Sequence, residues 1–235
     1  MGLIKVFLPC FFILISISNA EMDNCSISRC NSQEPIVQFP FNLDQQERCR
    51  YPGFEKLSCD SSNRTVLELG TSGKFLVRQI NYGTQEVQLY DQESCLPKRL
   101  LTLNLSDSPF RGSYYLNFDF FKCLSDFSPA FFQPISCLSS SNHSVYATSS
   151  LNQEKYMFSS CELFASVMVP TEWPVYVGYP VDISGNDLFL MWDTPNCGDC
   201  ILAGGKCGFK NIKGNQLLCH DLPRRGKFSF FLHFY

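Results

Sequence analysis

Residues 75–90, FLVRQINYGTQEVQLY, contain the pattern that decides the fold class of this chain. The first run, 75–80, is rich in apolar residues, and the second run, Val-Gln-Leu at 87–89, alternates apolar with polar residues. Such runs favour strands, and Asn-Tyr-Gly at 81–83 supplies turn-forming residues between them. The stretch therefore predicts a β-hairpin.

Three further segments have the periodicity of strands. Apolar and polar residues alternate at 101–106 and at 114–120, as expected of strands that bury one face. Residues 163–169 are apolar and short, which indicates a buried strand. Helical periodicity is weak throughout, and the 13 prolines and 14 glycines recur too often for long helices. We therefore predict a mainly β fold.

The N-terminus has the three parts of a secretory signal peptide. Lys5 provides a positive charge, residues 6–17 form an apolar run, and Ser-Asn-Ala at 18–20 precedes a cleavage point at Glu21. The apolar run is shorter than the about 20 residues that a transmembrane helix needs. We predict cleavage of residues 1–20 and an extracellular or cell-wall location, in preference to an uncleaved anchor.

The mature chain keeps an even number of cysteines, which in an oxidising compartment predicts a disulfide framework. The sequence leaves the pairing open, because many connectivities are possible. Each bond would add about 2–4 kcal/mol by restricting the unfolded chain. The predicted disulfide cysteines are Cys25, Cys30, Cys49, Cys59, Cys95, Cys123, Cys137, Cys161, Cys197, Cys200, Cys207 and Cys219.

Four N-x-S/T sequences fit the same compartment. Each predicts an exposed asparagine that carries a glycan, and together they agree with the signal peptide. The predicted glycosylation sites are Asn24, Asn63, Asn104 and Asn142.

Composition divides the mature chain into segments. A Ser/Pro-rich stretch at 125–160 predicts a linker or long exposed loop between an N-terminal module, 21–124, and a C-terminal cysteine-rich module, 161–222. Residues 223–235 form a basic and apolar tail that is too short to span a bilayer. The sequence thus predicts a mainly β, disulfide-rich secreted ectodomain with two cysteine-rich modules. Its net charge of −3 is not the profile of a nucleic-acid-binding protein.

No catalytic constellation is recognisable in the sequence. The three histidines, His143, His220 and His233, do not form a metalloprotease motif, and no serine-hydrolase elbow occurs. Acid pairs such as Glu154 with Glu162 cannot be distinguished from solvated surface carboxylates, and nothing indicates the shielded general acid of a glycosidase. Binding is therefore favoured over catalysis.

The cysteines at 197, 200, 207 and 219, with His220, have spacings similar to those of a zinc module. In the cytosol zinc would be favoured, whereas behind a signal peptide the same thiols are expected to be oxidised. Zinc and disulfides both remain open at this stage, and disulfides are preferred. We expect no cofactor in this chain.

The first of two recognisable blocks runs from Cys25 to Cys95. It contains IVQFPF at 36–41 and CRYPGF at 49–54, followed by the hairpin residues quoted above. The spacing of the cysteines, together with the FPF and PGF elements, resembles the galacturonan-binding domain of plant wall-associated receptor kinases. The resemblance implies binding of cell-wall pectic polysaccharide.

The second block reads WDTPNCGDC at 192–200 and GGKCGF at 204–209. It is similar to the module that follows the galacturonan-binding domain in the same families. The combination resembles most closely the ectodomain of plant ATL-type RING-H2 finger proteins, and receptor-like kinases are the second choice. In intact family members the resemblance implies a membrane span and a zinc-binding RING domain that transfers ubiquitin.

The sequence also departs from the family pattern. Asn31 and Arg50 replace glycines that often follow the preceding cysteines, which predicts altered turns. The membrane span that family members have after residues 222–225 is not found, and neither is the RING domain. We therefore expect ubiquitin transfer and a membrane partner only from a longer isoform. A truncated paralogue, the product of a misassigned gene, a secreted decoy and a nonfunctional remnant stay open as alternatives.

The favoured function is that of an extracellular ectodomain that binds pectin. The alternatives are part of a membrane E3 ubiquitin ligase of the protein ubiquitination pathway, and the ectodomain of a wall-associated receptor-like kinase. Galacturonan is a polyanion, so its site needs cations for the carboxylates and aromatic faces for the sugar rings. The candidate sugar-binding residues are Arg48, Arg50, Tyr51, Lys56, Tyr82, Trp192, Lys206 and Lys210.

Overall fold

The structure, a computed structural model, describes most of the chain after the N-terminal segment. The described residues are 25, 27–43, 49–127, 132–149, 160–171, 183, 187–210 and 216–223. In this part of the chain the protein is mainly β, which confirms the predicted class. No helix in these ranges is long and apolar enough to cross a membrane.

Eleven strands, two short α-helices and two 3₁₀ turns, Gly70–Ser72 and Ser136–Leu138, make up the described secondary structure. The strands are β1 (Leu57–Cys59), β2 (Thr65–Glu68), β3 (Lys74–Asn81), β4 (Glu86–Tyr90), β5 (Phe110–Arg111), β6 (Tyr114–Leu124), β7 (His143–Thr148), β8 (Cys161–Thr171), β9 (Asp187–Trp192), β10 (Lys206–Phe209) and β11 (Leu217–His220). The helices are α1 (Leu96–Leu100) and α2 (Gly198–Leu202).

The predicted hairpin at 75–90 is confirmed. Strands β3 and β4 pair antiparallel, from Leu76 opposite Tyr90 to Asn81 opposite Glu86. The Asn81 side chain begins the turn, because its Oδ1 accepts hydrogen bonds from the backbone N–H groups of Gly83 and Thr84, each at 3.1 Å. Such a side-chain bond to the backbone two residues on is the reason that asparagine favours turns.

The largest sheet joins distant parts of the chain, because its strand order is β1-β2-β3-β4-β9-β5. Strand β9 lies between β4 and β5 and pairs antiparallel with β4 over five residues, with Leu89 opposite Leu188. Because β9 follows residues 125–160 in the chain and β4 precedes them, the six-stranded sheet contains strands from both sides of the predicted linker. Part of that stretch, β7, is itself a strand that pairs with β6.

A second sheet has the order β7-β6-β8 and contains the predicted strands at 114–120 and 163–169. Both strands are confirmed, but the prediction that 163–169 is buried is wrong. Leu163, Phe164 and Met168 are each at least 40% exposed. These exposed side chains lie on β8, which is an edge strand of its sheet.

The predicted strand at 101–106 is wrong, because these residues follow α1 as turn and irregular backbone. The side chains of this segment nevertheless alternate between buried and exposed, as the sequence pattern suggested. Leu101, Leu103 and Leu105 pack against the core, while the polar residues between them are exposed. An extended segment that covers a core has the same alternation as a strand without pairing with a neighbour.

The larger of two hydrophobic clusters among the described residues joins the six-stranded and the three-stranded sheet. It includes Phe118 and Phe120 of the three-stranded sheet and Leu89, Leu190 and Trp192 of the six-stranded sheet. Burying a side chain of this size contributes about 1.5–3 kcal/mol. Because strands from both predicted modules supply this core, neither set of strands buries its apolar face alone.

Six disulfides complete the fold and confirm the predicted framework. Two lie near the N-terminus, one ties the predicted linker to the residue before α1, one joins β6 to β8, and two cross-link the C-terminal segment. The pairs are Cys25–Cys49, Cys30–Cys59, Cys95–Cys137, Cys123–Cys161, Cys197–Cys207 and Cys200–Cys219.

The β3–β4 turn is held to the C-terminal segment by Gln85, which is buried. Its Nε2 donates to the carbonyl of Trp192 at 2.8 Å. Its Oε1 accepts from the backbone N–H groups of Cys197 at 2.7 Å and Gly198 at 2.9 Å. Gly198 fits closely, since a Cβ there would lie 2.6 Å from the carbonyl oxygen of Gly83. The turn, the end of β9 and the start of α2 are therefore one hydrogen-bonded unit.

We expect Gln85→Ala to lower the free energy of unfolding by about 2–4 kcal/mol, because three buried backbone groups lose their partner. Denaturant unfolding of the oxidised protein measures the effect. The control is Gln92→Ala, at an exposed turn position, where a change within about 0.5 kcal/mol is expected. Equal stability of the two variants would contradict the role of Gln85.

Candidate functional site

Aromatic rings from the two ends of the described chain meet at one place on the surface. Tyr51 and Phe209 stack nearly parallel, with ring centroids 6.0 Å apart and an interplanar angle of 16°. The ring of Phe39 meets both edge-on, at centroid distances of 6.0 Å from Tyr51 and 5.1 Å from Phe209. Tyr51 and Phe209 are half-buried, so part of each side chain remains accessible.

Local sequence positions the N-terminal side of this cluster. Val37, Phe39 and Phe41 alternate with more polar neighbours and turn their side chains inward, where all three are buried. The N–H of Tyr51 donates to the carbonyl of Pro40 at 3.0 Å, which places the second segment alongside the first. Gly53 follows at φ 87°, a conformation that favours glycine and lets the chain turn back after Tyr51.

The C-terminal side depends on the β10–β11 hairpin. Phe209 ends β10, and beyond it the N–H of Lys210 donates to the carbonyl of Gln216 at 2.8 Å. The two strands are themselves held by disulfides to α2 and to the residue that precedes it, through Cys197–Cys207 and Cys200–Cys219. The hairpin that carries Phe209 is therefore covalently fixed to the end of β9.

Three of the predicted sugar-binding cations lie beside the cluster in the chain. Arg50 precedes Tyr51, Lys210 follows Phe209, and Lys56 lies two residues beyond Phe54, whose ring is 6.1 Å from that of Tyr51. Among the described residues none of these three cations has an ion-pair partner. We call Phe39, Tyr51 and Phe209 with these three cations the Tyr51 surface.

Lys206 differs from the other cations because its charge is already compensated. Its Nζ lies 2.9 Å from Oδ2 of Asp221, and the hydrogen bond and charge of Lys206 lower the pKa of the Asp221 carboxyl. Both side chains are largely exposed, and an exposed pair of this kind contributes little to stability. The pair nevertheless makes Lys206 a weaker candidate for a ligand carboxylate than Arg50 or Lys210.

The structure thus joins what the sequence suggested as two separate basic patches, one near the PGF element and one near residues 206–210. The aromatic residues next to each basic patch were the sequence feature that could have shown that the two patches lie together. Phe39 and Phe209 belong to the FPF and CGF elements, but they were not among the candidate residues because phenylalanine is more often part of a core.

Three other candidates have different positions. Arg48 lies outside the described residues. Trp192 is 1% exposed inside the core, where its ring meets those of Phe41 and Phe54 edge-on. This burial is a correction to the sequence prediction, because the indole offers no face to a sugar.

Tyr82 has a structural role that uses its polar group. Its hydroxyl donates to the carbonyl of Ile36 at 2.9 Å and accepts from the N–H of Gln38 at 3.0 Å. Burial raises the pKa of this phenol, so it stays protonated and keeps donating. Because both hydrogen-bonding functions of the hydroxyl are used, Tyr82 fixes the loop that contains Gln38 and has little left to offer a ligand.

The predicted glycosylation sites lie at the surface where the structure describes them. Asn63, Asn104 and Asn142 are exposed, and Asn24 lies outside the described residues. The Oδ1 of Asn104 accepts hydrogen bonds from the N–H and the hydroxyl of Ser106, at 3.0 and 2.7 Å. Glycosylation itself stays a prediction.

The cysteines that resembled a zinc module are oxidised in the structure. Cys197 bonds to Cys207 and Cys200 to Cys219, which leaves no thiolate among them for a metal. In the described ranges no group of three or more His, Cys, Asp or Glu side chains could hold a metal ion. The disulfide alternative is therefore the one the structure supports.

The described residues form a mainly β protein that is cross-linked by six disulfides. Residues 25–91 match the family described as wall-associated receptor kinase galacturonan-binding. The match covers Arg50, Tyr51 and Lys56 but ends before Phe209. No solved structure matches the chain significantly.

The chain is similar over most of its length to plant proteins. It is 36% identical to RING-H2 finger protein ATL22 of Arabidopsis thaliana over 92% of this chain and 58% of that protein. It is 28% identical to leaf rust 10 disease-resistance locus receptor-like protein kinase-like 1.2 of the same plant, over 91% of this chain and 35% of the kinase. These relatives confirm the resemblance to RING-H2 finger proteins. The chain spans about three fifths of the length of the RING-H2 relatives that it matches over most of its own length.

We expect the stacked pair to be energetically coupled. In a double-mutant cycle of Tyr51→Ala and Phe209→Ala, the interaction free energy should be about 0.5–1.5 kcal/mol, since aromatic pairs contribute this much beyond buried area. Denaturant unfolding of the two single variants and the double variant measures it.

The matched control combines Tyr51→Ala with Phe164→Ala, whose ring lies on the other sheet against Phe120. The effects of these two changes should add to within about 0.5 kcal/mol. A Tyr51–Phe209 cycle that is equally additive would mean that the two rings do not support each other in solution.

Proposed function

We propose that the Tyr51 surface binds a galacturonan segment of pectin at the cell surface or in the cell wall. The observation that carries this proposal is the stacking of Tyr51 on Phe209, with an unpaired cation next to each ring in the chain. The match of residues 25–91 to a galacturonan-binding family supports the choice of ligand.

The surface has the two kinds of group that an acidic sugar needs. Arg50, Lys56 and Lys210 offer charge-assisted hydrogen bonds to carboxylates, and such bonds are stronger than neutral ones. The accessible parts of Tyr51 and Phe209 offer apolar area to the face of a sugar ring. Lys56 and Lys210 are exposed and Arg50 is half-buried, so binding costs little desolvation of the two lysines and is weakened by salt.

We expect the double variant Arg50→Gln with Lys210→Gln to bind de-esterified oligogalacturonide about tenfold more weakly at 50 mM salt, because two charge contacts are lost. Calorimetry with the oxidised, full-length secreted protein measures the affinity. Between 50 and 150 mM salt the affinity of the wild type should fall more than that of the variant, because the variant has fewer charge contacts to screen.

The matched control is Lys74→Gln, which removes one exposed lysine at the start of β3 and should leave binding unchanged. An equal loss in the control and the double variant would mean that binding depends only on net charge. No binding by the wild-type protein at 50 mM salt would overturn the proposed function.

A second proposal concerns the whole protein. The relatives named RING-H2 finger proteins are longer than this chain, and the resemblance implies that their RING domain transfers ubiquitin. Under this proposal the residues described above are the sugar-sensing ectodomain of a membrane E3 ubiquitin ligase. The similarity to receptor-like kinases supports the alternative that these residues are the ectodomain of such a kinase.

Sequencing native transcripts distinguishes these proposals. A membrane ligase requires transcripts that continue past Lys227 into an apolar span and a RING domain, and a kinase requires a kinase domain instead. A stop codon after Tyr235 in every transcript would contradict both and leave an extracellular binding protein.

A further inference from the structure

A separate groove of about 360 Å³ lies between the loop at 33–38 and the outward side of β3. Gln33, Gln38 and Ile36 line it from the loop, and Arg78, Gln79 and Ile80 line it from the strand. Sequence reasoning did not name any of these residues as a ligand contact, although Ile36 and Gln38 lie in the IVQFPF element and the strand residues lie in the predicted hairpin.

A β-bulge brings the strand residues to the groove. In the pairing of β3 with β4, Val77 lies opposite Leu89 and Gln79 lies opposite Gln88, so Arg78 is an extra residue without a partner. In a regular strand consecutive side chains point to opposite faces. The bulge changes the direction of the strand, and three consecutive residues then line one groove.

The opposite wall is fixed before any ligand arrives. Ser28 and Val37 exchange two backbone hydrogen bonds, at 2.9 and 2.7 Å. The Tyr82 hydroxyl holds the backbone of Ile36 and Gln38, as described above. The Oε2 of Glu34 accepts from the N–H of Thr65 at 2.7 Å. A preformed wall reduces the ordering cost of binding.

The polar groups of the groove are mostly uncharged and available. The side-chain amides of Gln33, Gln38 and Gln79 make no hydrogen bond with another described residue. Each amide has two donor hydrogens and an acceptor oxygen, which suits neighbouring hydroxyls of a sugar. Ile36, 42% exposed, adds apolar surface beside them.

The charge of the groove is balanced, unlike that of the Tyr51 surface. Arg78 is the one cation among the described lining residues, and its Nε donates to Oδ1 of Asp187 at 2.8 Å. Its guanidinium also lies 4.3 Å from the centroid of the Tyr90 ring. Arg78 is already paired, and Glu34 lines the same groove. A ligand carboxylate therefore gains little binding free energy here, and an uncharged sugar loses no charge contact.

The groove and the Tyr51 surface meet at consecutive residues. Gln38 lines the groove, and Phe39 packs on Tyr51 and Phe209. Consecutive Cα atoms are only about 3.8 Å apart, so the two surfaces are built on one short stretch of backbone.

We propose that the groove binds an uncharged, methyl-esterified galacturonosyl unit of the same polysaccharide whose acidic units bind the Tyr51 surface. The amides of Gln33, Gln38 and Gln79 contact the sugar hydroxyls and the ester, and Ile36 and Ile80 contact the methyl group. The protein therefore recognises partly esterified pectin. This inference rests on the proposed function for the identity of the polysaccharide.

The test compares two oligogalacturonides of equal length, one fully de-esterified and one partly methyl-esterified, by calorimetry with the full-length oxidised protein. The variant Gln33→Leu with Gln79→Leu keeps side-chain size and removes two amides. We expect about a tenfold loss of affinity for the esterified ligand, since two neutral hydrogen bonds contribute about this much. Affinity for the de-esterified ligand should be unchanged, and Gln92→Leu should change neither.

A second variant tests the charge balance in the opposite direction. Gln79→Lys places an unpaired cation in the groove and should raise affinity for the de-esterified ligand about threefold, an amount typical of one exposed charge contact. Gln92→Lys, which adds the same charge at an exposed turn, should not. Both variants replace exposed residues, so matching thermal unfolding curves verify that the fold is intact.

The outcomes separate this inference from the proposed function. If neither ligand binds the wild-type protein, both fail together. If the de-esterified ligand binds and the leucine variant loses no affinity for the esterified one, the inference fails and the proposed function stands. Equal losses for both ligands in the leucine variant would also overturn it, because the groove would then not distinguish the ester.

Discussion

The pairing of β9 with β4 is the constraint on which the rest of the structure depends. It inserts residues 187–192 into a sheet that otherwise comes from residues 57–111, and it carries Trp192 into the core. Gln85 then fixes the end of this strand by bonding to three backbone groups. Apolar burial supplies most of the free energy of such a pairing, whereas the hydrogen bonds of Gln85 set its register, because unsatisfied buried groups are costly.

The Tyr51 surface is a consequence of that pairing. Once the end of β9 is fixed, the disulfides at Cys197 and Cys200 leave the β10–β11 hairpin little freedom, and Phe209 lies against Tyr51. The surface is therefore shared by the N-terminal and C-terminal segments of the chain. The galacturonan-binding family match ends at residue 91, so half of the stacked pair lies outside it. The similarity to the RING-H2 relatives, in contrast, extends over most of the chain.

Under the two proposals, surfaces of different charge would let the protein distinguish polymers that share one backbone. Exposed cations alone attract any polyanion and lose that attraction in salt. A charge-balanced groove of fixed shape would add neutral hydrogen bonds that depend on geometry and are little affected by salt. Because specificity is a difference of affinities, a ligand that fits both surfaces gains over one that fits either alone.

The sequence by itself determined the class of the fold, the β3–β4 hairpin, the strands at 114–120 and 163–169, and the oxidation of the cysteines. These features depend on local patterns: side-chain alternation, turn residues, and an even number of cysteines behind a predicted signal peptide. It also placed Arg50, Tyr51 and Lys210 among the candidates, because cations and aromatics are chemically suited to acidic sugars. Only the tertiary structure decided the disulfide pairs, the burial of Trp192, the irregular backbone at 101–106 and the contact of Tyr51 with Phe209. Each of these depends on which distant segments pair, and long-range pairing is set by the packing of whole sheets rather than by residues that are neighbours in the chain.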